Sequence, residues 1–160
     1  HLRDKGYRHI AWFGPEFVKD VAKHYSSPSR YAGVREICQE SGIELTEVYA
    51  RAGDNLIDAS PPLFEGKKFP QAIVCYNFDY TDAAVHMMSH RGIRHPEDIE
   101  VVKFASPWEN VMASANLYTR INLPEFDLSR LGAEYILSVV SGNKDDSLLQ
   151  PLTGTLKIRE

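Results

Sequence analysis

The stretch QAIVCYNFDYTDAAVHMM, Gln71 to Met88, runs apolar residues straight into Asn77, then into aromatic and acidic residues. An asparagine at the tip of a buried strand presents an amide that both donates and accepts hydrogen bonds. Other apolar runs end in a similar way: on Gly14-Pro15, on Gly53-Asp54-Asn55 and on Ala105-Ser106-Pro107-Trp108. Together with Phe78 and Asp79, these tips offer amides, a hydroxyl, one or two acids and stacking faces. That set suits a small polar ligand held by hydrogen bonds and ring contacts. Arg30 adds a cation. It falls in the first turn of a helix-period segment, where positive charge opposes the helix dipole. Two readings of it stay open: a donor aimed at a ligand, or a surface arginine paired with Glu36 or Asp54.

Signatures of catalysis are missing from the sequence. The first strand ends WFGPEF, with no Gly-x-Gly-x-x-Gly, and neither a phosphate loop nor a Gly-x-Ser-x-Gly elbow follows. His86, His90 and His95 suggest a metal, but a protein zinc site needs further ligands, and HMMSH lacks the glutamate of a metalloprotease helix. Solvent-edge histidines are the plainer reading, so neither metal nor cofactor is assigned. Cys38 and Cys75 sit in apolar settings and read as reduced core thiols. Trp12 reads as core; Trp108 reads equally as core or as a stacking platform.

The elements that position these tips alternate. Strand-like runs are His9–Phe13, Glu47–Arg51, Ala72–Tyr76, Glu100–Ala105 and Leu117–Leu123, with a weaker one at Leu152–Ile158. AIVCY is continuous rather than alternating, as in a strand covered on both faces. Helix-period segments lie between. Ser27-Pro28 predicts a start, with Gly42 as the stop. Asp79 is expected to cap a second helix closed by Gly92. Asp127 is expected to cap a third closed by Gly142, with Leu128, Leu131, Tyr135 and Val139 inward. Pro61-Pro62 permits only a short helix near Leu63–Gly66. The pattern predicts an α/β fold: a doubly wound, mostly parallel sheet with helices on both faces. Ligands of such sheets bind beyond the carboxyl ends of the strands, where the tips above lie.

Composition sets outer bounds. The 160 residues carry a net charge of −4 and 43% hydrophobic residues, which is ordinary for one globular domain. No basic stripe marks a nucleic-acid grip. No apolar run approaches membrane-spanning length. The chain opens on His1, which suggests a piece of something longer.

In order along the chain, several stretches resemble the effector-binding core of LacI/GalR-type bacterial transcription regulators, whose fold is shared with periplasmic sugar-binding proteins. HLRDKGYRHIAWFGP is similar to the family's Gly-His/Tyr-Arg-x-Ile-Ala approach to its strand. SSPSRYAGVREICQESGI, with Ser26 and Arg30, is similar to its Ser-x-x-x-Arg-x-x-Gly helix. Gly53-Asp54, FPQAIVCYN, HRGIRHPEDIEVVKFA, LGAEYILSVVSGN and LLQPLTGTLKIRE complete the set.

The resemblance implies a role for Asn77 and Arg30 in hydrogen-bonding an effector, with Ser26, Asn55, Phe78, Ser106 and Trp108 around it. Asn55 falls where some members place a stacking aromatic. It implies one lobe over residues 1–160, within which about 120–150 crosses over to pack on a first lobe outside this sequence. The helix face of Leu128, Leu131, Ile136 and Val139 is then expected to be uncovered, and to fold back, swap or pack on another copy. It further implies a homodimer, with Tyr80, Ala83, Met87 and Val111–Ala113 as candidate contacts. The setting would be cytoplasmic and off the membrane, with operator DNA reached through a helix-turn-helix outside this chain, and no enzymatic activity. The alternative is a lobe of a periplasmic solute-binding protein. One departure is Lys103-Phe104-Ala105, where the family has Gly-Phe-Asp: the aspartate that usually takes two ligand hydroxyls is absent.

Overall fold

A computed structural model of the chain describes residues 1–16, 26–66, 68–106, 108–109 and 116–159. The elements, in order, are β1 (His9–Pro15), α1 (Ser26–Ser41), β2 (Glu44–Ala50), α2 (Leu56–Ala59), a 3₁₀ turn (Pro61–Phe64), β3 (Ala72–Cys75), α3 (Phe78–His90), β4 (Glu100–Ala105), β5 (Thr119–Asn122), α4 (Glu125–Val140) and β6 (Thr155–Lys157). The strand order of the sheet is β2-β1-β3-β4-β5-β6. β1 pairs parallel to both β2 and β3, and β3 pairs parallel to β4; β5 and β6 are antiparallel. The expected doubly wound, mostly parallel sheet is therefore present. The chain divides into two compact units, His1–Lys103 and Phe104–Glu160.

The first unit holds the parallel strands. Ala11, Trp12, Phe13, Ala72, Ile73 and Cys75 are fully buried, so the continuous apolar runs are covered on both faces. Trp12 is core, as its setting predicts. Helix α3 presents Tyr80, Ala84 and Met88 to the interior. Gly42 and Gly92 follow α1 and α3 with φ of 62° and 68°, a left-handed turn that glycine takes without a Cβ penalty.

Three expected helix starts move. Ser27 lies inside α1 rather than capping it. Asn77, not Asp79, caps α3: its Oδ1 accepts from the Tyr80 backbone N–H, and Asp79 stands in the first turn, where its charge meets the positive end of the dipole. α4 begins at Glu125 behind Pro124, so Asp127 is also a first-turn residue rather than a cap. The Pro61-Pro62 pair stands in the 3₁₀ turn, one residue after the four-residue α2.

The second unit is thinly packed around α4. None of the residues of this helix is buried. Leu128 and Val139, expected inward, are 62% and 47% exposed, while Leu131 and Tyr135 are half-buried. Phe126, Ile136, Leu137 and Val140 are exposed as well. The helical period predicts an apolar face correctly; it cannot say what covers that face.

Candidate functional site

The end of β3 is built around a residue that the strand pattern had absorbed, Tyr76. Its backbone N–H donates to the Phe13 carbonyl, which carries the β1–β3 pairing one step beyond β3. Its own carbonyl then accepts from Arg30 Nη1 at 2.9 Å. The Arg30 guanidinium lies 4.7 Å from the centre of the Tyr76 ring, in cation–π range. The Tyr76 hydroxyl and Ser26 Oγ are 2.9 Å apart. One residue thus holds both Ser26 and Arg30 of α1 at the carboxyl end of the sheet. Ser27, between them, buries a hydroxyl with no hydrogen-bond partner among the described residues.

Asn77 and Phe78 continue from this hub. Besides its capping bond, Asn77 places Nδ2 3.4 Å from Asp79 Oδ2, a long contact. Its carbonyl accepts from both the backbone N–H and the hydroxyl of Thr81. Phe78 is half-buried, with Lys103 Nζ 5.1 Å from its ring centre. Behind them Tyr80 packs edge-on against Tyr76 at 5.9 Å and Phe13 at 5.0 Å. Burial is the main cause that pushes its phenol up to about 12, so it is neutral and able to donate.

Asn55 sits at the end of β2 in an exposed loop, where its Oδ1 accepts from the Ile57 N–H and caps α2. Ser106 and Trp108 belong to the second unit. Ser106 Oγ donates to Glu125 Oε1 at 2.6 Å, and its backbone N–H donates to Glu109 Oε1. Trp108 is 55% exposed, so it is not a core residue of this unit. Of the seven sequence-predicted positions, Ser26, Arg30, Asn77 and Phe78 gather at the tip of β3. Asn55 belongs to another loop, and its side chain is spent on a helix cap. Ala105 is fully buried and carries no acceptor on its side chain.

Sequence reasoning missed Tyr76 and Lys103. Lys103 is 1% exposed and lies in register with Cys75. A charged residue inside an apolar strand was the available signal, because long cations are rarely fully buried unless paired. The opposite end of β4 has a second such residue. Glu100, 2% exposed, accepts from Lys5 Nζ at 2.7 Å and from Tyr7 Oη at 3.0 Å, and lies 3.0 Å from His1 Nε2.

Both cysteines are free and buried. Burial pushes the Cys75 thiol up to about 12, against smaller opposing effects of Thr81 and Lys103, so it is a poor nucleophile. Among the described residues, no group of three or more His, Cys, Asp or Glu could hold a metal ion. Among the same residues, no helix is long and apolar enough to cross a membrane. The candidate dimer contacts on α3 are corrected in part. Tyr80 and Ala83 are 9% and 3% exposed, spent on the core, and Met87 is half-buried. Val111–Ala113 lies outside the described residues.

The chain has relatives among known proteins. The chain is 22% identical over 163 residues to catabolite control protein A of Priestia megaterium, covering 99% of this chain and 48% of that protein. It is 24% identical over 140 residues to the transcriptional repressor PurR of Pasteurella multocida, covering 85% and 39%. It thus spans less than half the length of either relative. A LacI family regulator from an Arthrobacter species, solved in complex with lactose, superposes with a TM-score of 0.76 at 20% identity, over 99% of this chain and 58% of that one. The profile of the periplasmic binding protein-like domain matches residues 1–160 throughout, and the chain belongs to that family.

Proposed function

We propose that this chain is the effector-binding lobe of a LacI-type transcription regulator, and that it takes a small polar ligand at the carboxyl end of β3. The observation that carries the reading is the Tyr76 hub. It fixes a guanidinium and a hydroxyl from α1 beside an asparagine at the strand tip. A charge-assisted donor already oriented loses little entropy on binding. The buried Ser27 hydroxyl, with no partner among the described residues, supports the same reading, since such groups are normally satisfied by water or a ligand. The two regulator relatives and the lactose-bound neighbour point the same way.

In this reading the exposed apolar face of α4 packs on a first lobe, with about 120–150 as the crossover. The ligand then favours one arrangement of the lobes. A homodimer passes that preference to a helix-turn-helix on operator DNA, in the cytoplasm, as linkage between two sites. A tenfold shift in operator affinity requires about 1.4 kcal/mol of differential binding. Ala105 removes the usual acceptor for a pair of sugar hydroxyls. The ligand is therefore one recognised through Arg30, Asn77 and the aromatics, with fewer vicinal hydroxyls than a free hexose.

The test is a thermal-shift and tryptophan-fluorescence screen of the intact parent protein against mono- and disaccharides, deoxy- and amino-sugars and nucleobases. Any hit is then followed by operator binding with and without the ligand. A ligand that binds and shifts operator affinity supports the reading. A parent that binds DNA indifferently to every ligand removes the sensing role. A parent with a signal peptide and no DNA-binding segment makes it a transport receptor.

A further inference from the structure

Helix α3 has an outer face that the effector reading leaves unused. Ala84 and Met88, at 0% and 1% exposure, fix the opposite face to the core, so this helix is held rigidly. Asp82, His86 and His90 recur every four residues on the outside, and all three are exposed. The His86 and His90 rings have centroids 4.5 Å apart, with planes tilted by 56°. Side chains four apart on a helix are neighbours, and two imidazoles in that relation form a chelate for a borderline-soft divalent ion. A two-ligand chelate is compatible with the lack of any three-residue metal group among the described residues, because water completes the coordination of a surface ion. Two further features favour a cation here. α3 ends at His90, so a bound ion meets the negative end of the helix dipole. The neighbouring Arg91 guanidinium is turned to Phe64, donating to its carbonyl at 3.2 Å and lying 5.4 Å from its ring centre.

We propose that His86 and His90 form a bidentate surface site for a divalent transition metal ion. Imidazole donors bind Cu²⁺ more tightly than Ni²⁺ or Zn²⁺. The open positions accept water or a donor from another molecule. The site does not depend on the effector reading. His9, His24 and His95 are the internal controls.

The experiment titrates the full chain with Cu²⁺ and with Zn²⁺ alone, by calorimetry, and follows the histidine ring resonances by NMR. One ion per chain is expected, and substoichiometric Cu²⁺ should broaden His86 and His90 first. His86→Ala and His90→Ala should each weaken binding on the order of tenfold or more, and the double variant should lose this site altogether, because no imidazole remains there to ligate the ion. Both positions are exposed, so circular dichroism should show the fold unchanged. Binding that survives in the double variant, broadening confined to other histidines, or no binding at millimolar metal would each overturn the assignment.

Discussion

Arg30 Nη1 donates to the Tyr76 carbonyl at 2.9 Å while its guanidinium lies 4.7 Å from the Tyr76 ring centre. A residue from the first turns of α1 is thereby fixed at the tip of β3. The planar guanidinium makes both contacts at once, which an ammonium would not reproduce. Arg30→Ala should weaken effector binding by the worth of a charged hydrogen bond, about 1.5–3 kcal/mol, or roughly 10- to 150-fold. Arg30→Lys should recover only part of it. Calorimetry on the intact parent with an identified effector checks both; wild-type affinity in Arg30→Ala would move the ligand elsewhere.

In the proposed reading Asn77 has two separable jobs. Its Oδ1 caps α3, and its amide nitrogen, 3.4 Å from Asp79 Oδ2, would donate to the ligand. Asn77→Ala should lower stability by about 1 kcal/mol through loss of the cap. Asn77→Asp should keep the cap and lose the donor. Urea unfolding and effector titration should therefore separate the two, with binding weakened in both variants and stability near wild type only in the aspartate variant.

Gly14 lies against the indole of Trp12. A Cβ built there would stand 2.7 Å from Trp12 Cζ2 and Nε1. Trp12 is fully buried, so the ring has nowhere to retreat. Gly14→Ala should cost about 1–3 kcal/mol as overpacking. Unfolding midpoints measure it; an unchanged midpoint would mean that the ring is free to shift.

At the amino end of the sheet, Glu100 joins β4 to the N-terminal segment through Lys5 and Tyr7. Glu100→Gln keeps the shape and removes the charge. Removing one partner of a fully buried pair costs about 3–5 kcal/mol, but Lys5 is 43% exposed and can turn to water. A loss of about 1–2 kcal/mol is expected. Hydrogen exchange should show residues 1–8 opening first.

The Arg94 guanidinium and its backbone N–H hold the Asp98 carboxyl down to about 2. A depressed folded-state value means stability that is present above the ordinary carboxylate range, near 3.8, and lost as pH falls toward about 2. A carboxyl NMR titration should find the Asp98 midpoint near 2, and in Arg94→Ala a return toward 3.8. A wild-type midpoint near 3.8 would show that the contact is not populated.

The sheet was legible because its signal is local. AIVCY is apolar at every position, and such a run is stable only when both faces are covered, so the strand and its parallel setting follow together. Helix stops at Gly42 and Gly92 were equally local. Helix starts were less so: Asn77 and Asp79 are both good caps, and only the place where the backbone leaves β3 decides between them. Asn77 and Phe78 stood out as a strand tip, and Arg30 as a cation in a first turn with two readings; the ordered resemblance added Ser26 and favoured the ligand-facing reading of Arg30.

Tertiary structure decided what holds those residues in place. Tyr76 looks like one more strand residue until β3 ends a residue earlier and its carbonyl turns to Arg30. Lys103 and Glu100 look like interruptions of a strand until Phe78 covers one and Lys5 and Tyr7 meet the other. The sequence by itself determined the apolar periods, the strand tips and the absence of a catalytic motif, because these are properties of neighbours along the chain. The hub at Tyr76 depends on residues 46 positions apart meeting in space. Long-range contacts of that kind are chosen by packing, not by local pattern.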